Sequence, residues 1–477
     1  MIRRPFAFLL CLALAAPVPA VDLPDLGDVG AEELSPAQEK QLGEEIMREI
    51  RGDPAVLDDP LVEEYVNRLG RKLAANADAT RRFEFFVVKD STVNAFALPG
   101  GYIGVHTGLI LTTESESELA GVLGHEIGHV TQRHIAQLMG KQKQMSMAML
   151  ASLLVALAAG NSQVTEAAIA AGVAGATQAQ LAYSRDFERE ADRNGLQTLD
   201  AAGFDVRGMA GFFERLQRAT RLYENNAPVY LRTHPLTTER ISDMENRVMS
   251  LPYRQVPDSD DFGYVRARLL EQSLPARDAL RTFNGKVAAT PADMAQRYGL
   301  ALAQLRLGQL DDAAKGLEEL QRRAAPSPFL SILASDLALA RRDVGTAVKT
   351  LADARKRFPA SMSVVYALAD AQIDNGRATD AERDLRRALL GHGDDIRLWK
   401  TLSRANAVLG KRTAQHRAQG EVYALQGAWR AAAEQLELAQ KAADGDFYEL
   451  SAVDARLRDI RTRLRDSARR GQTQRKN

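Results

Sequence analysis

Apolar residues fall at helical spacing in two differently built halves of this chain, with the change near Leu251. In the first half, Leu119, Val122, Leu123, Ile127 and Val130 give a predicted helix one largely apolar face. Ser115 with Glu118 reads as the capping box that starts it. Gly124 and Gly128 are poor helix formers inside that run, so other backbone is expected to approach it closely. Ahead of it, Phe85 to Val88 and Tyr102 to Val105 are short apolar runs of strand type, separated by Asn94 and the turn residues Pro99-Gly100-Gly101. Met145 to Ala159 is apolar for fifteen residues and is followed by a small-residue stretch from Ala167 to Ala182. A bilayer span needs roughly 20 residues, so the pair reads as a buried helical hairpin. A flap over a cleft, or a membrane-surface contact, is the other reading.

Past the Pro- and Asp-rich loop at 252–261 the chain becomes Ala- and Leu-rich and periodic. Ala313, Ala347 and Ala381 are spaced 34 apart, and Gly308, Arg342 and Gly376 stand five residues before them. Gly410 continues the register, while Gly420, Tyr423, Gly427, Ala432, Leu436 and Ala439 form a further unit offset from it. A plain helical bundle gives no reason for a fixed period. Stacked repeats do, and they curve into a solenoid whose inner groove binds peptides or partner proteins.

The chemistry lies on the predicted helix. His125, Glu126 and His129 stand in the order His-Glu-x-x-His. Positions four apart lie nearly above one another on a helix, so both imidazoles can face one metal ion, with Glu126 a quarter turn away as a base for water. Without further ligands the same residues would be two histidines on an amphipathic surface helix. A third ligand is sought in SRDFEREADRNG, residues 184–195, where Glu188 and Asp192 share one helical face. One of these carboxylates can bind the metal while the other steadies a ligand histidine through its free ring nitrogen. Spacing leaves Glu190 open as the ligand. His234, placed before Pro235 and a helix that Thr237 or Thr238 would cap, is a candidate fourth ligand of a resting state, an oxyanion donor, or a loop residue that holds Arg240 and its helix. His134 is expected off the ligand face, at the surface or behind a ligand, and His106 reads as a satisfied polar residue. Gly101, Tyr102, Ile103 and Gly104 are expected to form a strand edge beside the helix, against which an extended substrate pairs.

Met1 to Arg4 is a short positive segment, Phe6 to Ala16 an apolar core, and Val18-Pro19-Ala20 a small-residue cleavage site, which together read as a secretory signal peptide. Cys11, the only cysteine, leaves with it, and a thiol-free mature chain suits an oxidising compartment. Lys plus Arg and Asp plus Glu each number 62, which gives no basic face for nucleic acid.

Four motifs in order resemble the HtpX-like and BepA-like gluzincin metallopeptidases: NAFALPGGYIGVHTGLI at 94–110, HEIGH at 125–129, Glu188 and Asp192 preceded by Ser184-Arg185, and THPLTTERI at 233–241. The resemblance implies one Zn²⁺ per chain held by His125, His129 and Glu188, with Glu126 as general base and Asp192 supporting. It also keeps His234 and Arg240 near the site in a supporting or regulatory role. The 34-residue period resembles tetratricopeptide repeats. The fold expected is α+β and mostly α, a mainly helical peptidase domain with a small sheet followed by an all-α solenoid. Its parts are a signal peptide (1–20), a peptidase domain (21–251), a linker and connecting helix (252–285), repeats (286–445), and a C-terminal helix with a basic tail (446–477). The combination implies a periplasmic endopeptidase for misfolded or stalled outer-membrane β-barrel proteins, with repeats that hold client or barrel assembly machinery and with peripheral membrane contact left open. A chaperone scaffold with a latent metal site is the alternative.

Overall fold

The structure, a computed structural model, describes residues 34–77, 81–141, 185–221, 229–442 and 444–474. The predicted signal peptide with Cys11 and the apolar stretches at 145–159 and 167–182 lie outside the described residues. Twenty-one helices and one three-stranded sheet are present among the described residues, and none of those helices is long and apolar enough to cross a membrane.

Helix α1 (Pro36–Ile50) starts at a capping box in which Ser35 and Gln38 satisfy each other's amides. Helix α2 (Pro60–Ala74) has Pro60 in its first turn and Asp59 accepting from the amides of Leu61 and Val62. The sheet follows as β1 (Glu84–Val88), β2 (Ala95–Leu98) and β3 (Tyr102–His106), in the order β1-β3-β2. Strand β3 is therefore central: β1 pairs with it in parallel from Glu84 opposite Tyr102, and β2 antiparallel from Leu98 opposite Tyr102. This corrects the expectation that Gly101, Tyr102, Ile103 and Gly104 offer an open edge. The four-residue run Ala95–Leu98 forms a strand of its own and takes that side. The outer side of β1 is closed as well. Leu57 donates to Val87, Ala55 accepts from Lys89, and the amide side chain of Asn67 bonds both the N–H and the C=O of Phe85.

After α3 (Thr107–Thr112), helix α4 (Glu116–Thr131) runs through the interior with every residue from Ser117 to Val130 buried. Ser115 caps it by accepting from the Glu118 amide, but the Glu118 carboxylate reaches the Glu114 amide instead of closing the box, and Arg215 grips it. Then come α5 (His134–Lys141), α6 (Arg185–Ala201), α7 (Arg207–Arg221), α8 (Val229–Thr233) and α9 (Thr238–Ser250), the last capped by Thr237. Helices α4 and α6 meet backbone to backbone: a Cβ on Gly124 would stand 3.1 Å from the Gly195 carbonyl oxygen, and one on Gly128 3.0 Å from that of Ala191. The close approach expected at these glycines is present.

Helices α10 (Asp260–Ser273) and α11 (Ala276–Ala289) lead into α12 (Met294–Arg306), α13 (Leu310–Arg323), α14 (Pro328–Ala340), α15 (Val344–Arg357), α16 (Met362–Asp374), α17 (Ala378–Leu389), α18 (Ile396–Val408), α19 (Arg412–Leu425), α20 (Trp429–Ala442) and α21 (Phe447–Gln474). The 34-residue period marks the turn inside each successive pair from α12/α13 to α18/α19. Gly308, Arg342, Gly376 and Gly410 all occupy it at φ of 62° to 75°. The left-handed region is cheap for glycine and strained for Arg342. One apolar core runs from Leu57 and Val66 through Leu123 and Phe213 to Tyr264, Phe329 and Ala371, so it crosses from the peptidase-like elements into the first repeats. Helix α2 lies in the middle of it. Glu64 on α2 accepts from Ser361 Oγ and from the N–H and Oγ of Ser363, at the start of α16, over 2.8–3.0 Å. Arg268 and Gln272 on α10 both donate to Asp59.

Candidate metal centre

Helix periodicity stacks His125 over His129, and α6 brings Glu188 against them. The short helix α8 ends beside them at His234, which follows directly. His125, His129, Glu188 and His234 are all buried, and one donor atom from each lies within 4.8 Å of every other. Nε2 of His129 is 3.0 Å from Nε2 of His125 and 3.4 Å from Oε1 of Glu188. Nδ1 of His234 is 3.0 Å from the same Glu188 oxygen and 3.4 Å from Nε2 of His125. Four ligands about 2.05 Å from a zinc ion in a tetrahedron stand roughly 3.3 Å apart. These spacings match, and three imidazole nitrogens with one carboxylate are a donor set that zinc accepts.

Asp192 and Arg240 sit behind the ligands. Asp192 Oδ1 is 2.9 Å from Nδ1 of His125, and the Arg240 guanidinium binds both Asp192 oxygens at 2.7 and 2.8 Å while a third nitrogen lies 2.6 Å from Oε2 of Glu188. Glu190, left open by spacing, points away and meets His134 instead. Glu126 is buried beside the cluster, with Oε1 3.6 Å from Nε2 of His234 and the Ala97 backbone facing its carboxylate. Burial pushes the Glu126 carboxyl above its ordinary range, against the pull of His234 and His125, which is the direction that suits a general base. Glu188 goes the other way: despite burial, His234 and hydrogen bonds from His125 and His129 hold it well below the carboxylate range. Burial favours the neutral form of His125, yet Asp192 and Glu188 outweigh it and push the pKa up to about 9, whereas burial keeps His129 well below its ordinary value.

Two further residues complete the surroundings of the site: Tyr230, which the sequence pattern did not single out, and His134. The Tyr230 ring stacks on His234 with centroids 4.6 Å apart, and its amide donates to Val93 O, two residues before β2. His134 is buried behind His129, the second of the two places expected for it. His106 is, as read, a satisfied polar residue, held by Thr92 at 2.9 Å.

Residues 60–248 match peptidase family M48, and residues 338–405 match a tetratricopeptide repeat. A beta-barrel assembly-enhancing protease of Vibrio cholerae is 37% identical over 470 residues, covering 95% of this chain and 96% of that one. The chain belongs to peptidase family M48. Within M48, the beta-barrel assembly-enhancing protease of Escherichia coli is 32% identical over 92% of this chain and 91% of its own length. The mitochondrial metalloendopeptidase OMA1 of Arabidopsis thaliana is also 32% identical, but over 45% of this chain. Similarity along nearly the full length thus lies with the beta-barrel assembly-enhancing proteases, and membership of M48 makes the chain a metallopeptidase whose centre takes a metal ion.

Proposed function

We propose that the chain is a zinc-dependent endopeptidase of the periplasm that cleaves outer-membrane β-barrel proteins, with a solenoid that holds the client or the barrel assembly machinery. The observation that carries the chemistry is the buried cluster of four donor atoms within 4.8 Å of one another with the buried Glu126 beside it. The names of the relatives that match this chain along nearly its whole length support the substrate class, and the leader-like first twenty residues support the compartment.

In this reading His125, His129 and Glu188 hold the zinc, and Asp192 and Arg240 keep His125 and Glu188 oriented. A bound zinc ion supplies the Lewis acidity that polarises a peptide carbonyl and makes a water acidic. Glu126 takes the proton from that water and passes it to the leaving amide nitrogen. The substrate strand pairs along the outer side of β2, where Ala95 and Ala97 turn their backbone groups away from β3. His234 is the fourth ligand of a resting state. Its Nδ1 lies against Glu188 and His125 and its Nε2 faces Glu126, so with zinc held there His234 would compete with a substrate carbonyl, and turnover would require α8 and His234 to withdraw.

The test is metal analysis with a casein-degradation assay, before and after chelation and after zinc return, for the native chain and for His234→Ala. One zinc per chain, activity that follows the zinc, and faster cleavage by His234→Ala are expected. Cleavage indifferent to chelation would overturn the metal reading, and a His234→Ala rate equal to the native rate would overturn the resting-state role.

A further inference from the structure

His129 reaches past the metal centre through its second ring nitrogen. Its Nδ1 lies 2.8 Å from Nδ1 of His134, and Nε2 of His134 lies 3.3 Å from Oε2 of Glu190. The His134 ring is fully buried and stacks on Phe187, with centroids 4.4 Å and planes 12° apart, while the Glu190 side chain is 47% exposed. His125 is braced differently, by a buried carboxylate that Arg240 holds with two bonds.

The backbone explains how His134 gets there. Helix α4 stops at Thr131, and Arg133 takes a positive φ of 56°, a costly conformation for a residue with a side chain. That kink starts α5 at His134 and swings its ring under the end of α4. The turn is anchored by the Arg133 guanidinium, which donates to Leu34 O at 2.6 Å and to Glu39 at 3.3 Å. A strained turn held by buried partners is the kind of feature that persists because it places something.

Valence then assigns the protons, given the proposed ligand set on which this step rests. An imidazole that gives its Nε2 lone pair to a metal carries its proton on Nδ1. His129 Nδ1 is thus a donor, and the nitrogen 2.8 Å away must accept. His134 can accept there only if its own proton is on Nε2, the atom that faces Glu190. We infer that His134 is the positioning residue of His129, a neutral imidazole that accepts the hydrogen bond of the ligand on Nδ1 and hands a second one to Glu190 from Nε2. One ligand histidine is therefore steadied by a carboxylate and the other by a histidine relay that ends near the surface.

Two substitutions at His134 separate this role from packing, because they preserve opposite halves of the residue. His134→Phe keeps a flat ring on Phe187 and removes the acceptor. His134→Asn gives up the ring and keeps a carbonyl oxygen near the position of Nδ1. Zinc affinity is read by competition with a chromogenic chelator, and the ligand field by the visible spectrum of the cobalt-substituted protein, with far-UV circular dichroism of each variant as the check on folding. Loss of a residue that orients a ligand typically lowers metal affinity about 10–100-fold. That loss and a shifted cobalt spectrum are expected for His134→Phe, while His134→Asn stays within about threefold of the native affinity. The reverse order, with Phe tolerated and Asn impaired, makes His134 a packing residue and overturns the inference, as do equal native affinities for both. His129→Ala distinguishes the two levels. If it binds zinc as the native chain does, the ligand assignment itself fails; if it loses zinc while His134→Phe does not, only the relay fails.

Discussion

The seam between α4 and α6 allows a sharp prediction at Gly195. A Cβ added there would stand 2.9 Å from the amide nitrogen of His125, 3.1 Å from its Cα and 3.1 Å from the carbonyl carbon of Gly124. Carbon rests about 3.5–4.0 Å from such neighbours, so Gly195→Ala must drive α6 back by roughly 0.6 Å. His125 and His129 ride on α4 and Glu188 and Asp192 on α6, so the retreat opens the ligand set directly. Metal sites hold donor distances to within about 0.2 Å, and a shift about three times larger should weaken zinc binding at least about tenfold. The effect on stability is smaller. Overpacking costs about 1–3 kcal/mol, while alanine gains up to about 1 kcal/mol over glycine inside a helix, leaving a net loss of up to about 2 kcal/mol. Gly211 on α7 is the control, since nothing lies within 4 Å of its added Cβ. Gly211→Ala should stabilise by about 0.5–1 kcal/mol with zinc binding unchanged. Urea unfolding of the metal-free variants and chelator competition read the two effects separately. A Gly195→Ala protein as stable as Gly211→Ala and native in zinc affinity would show that the helices need no such approach.

Glu126→Gln should retain zinc and lose at least about a hundredfold in casein cleavage, because the amide cannot take a proton; comparable cleavage would remove Glu126 from the mechanism. Burial raises the Asp336 carboxyl from 3.8 to about 6 in the folded chain, against the pull of Arg268. Its contribution to stability is therefore full below about pH 4 and lost as pH rises through about 6. Asp336→Asn should accordingly raise the free energy of unfolding at pH 7–8, by up to about 3 kcal/mol, with the gain vanishing near pH 4 in urea titrations; a pH-independent gain would refute the assignment. Glu64→Ala leaves Ser361 and Ser363 without their shared acceptor and should loosen the solenoid from α2, seen as faster limited proteolysis around residues 358–363 with the metal centre intact. Arg342→Gly should stabilise by about 1 kcal/mol by relieving the left-handed backbone, measured by thermal unfolding.

Much of the site was legible because its ligands come in helical pairs. His125 with His129 and Glu188 with Asp192 are each four apart, so local periodicity already puts each pair on one face, and Gly124 and Gly128 announced the partner backbone. Where the reading failed or stayed open, a break in regularity intervened. For His134 the sequence left the surface and a place behind a ligand both open, because no glycine marks the left-handed turn at Arg133 that decides between them. The strand at 102–106 was taken for an edge because Ala95–Leu98 is too short and too plain to advertise itself between two loops. His234 had a legible cap at Thr237, but its distance to Glu188 is set by the packing of α8 and α9, which no local pattern encodes. The repeats were legible through their period, while the polar part of their contact with α2 is made by ordinary residues, Glu64, Ser361 and Ser363, which look like any solvated surface in one dimension.

The core that crosses Leu251 bears on how the protein can be taken apart and how it comes into being. Cutting the chain after the M48 match would split one continuous core, leaving α2 and α3 without the helix α10 that packs against both and exposing apolar surface on the catalytic half. An isolated peptidase half would be an aggregation-prone fragment, not a minimal enzyme. The same holds during synthesis: until residues 260–371 have left the ribosome, the catalytic half lacks part of its interior, so a nascent chain is not yet a finished protease.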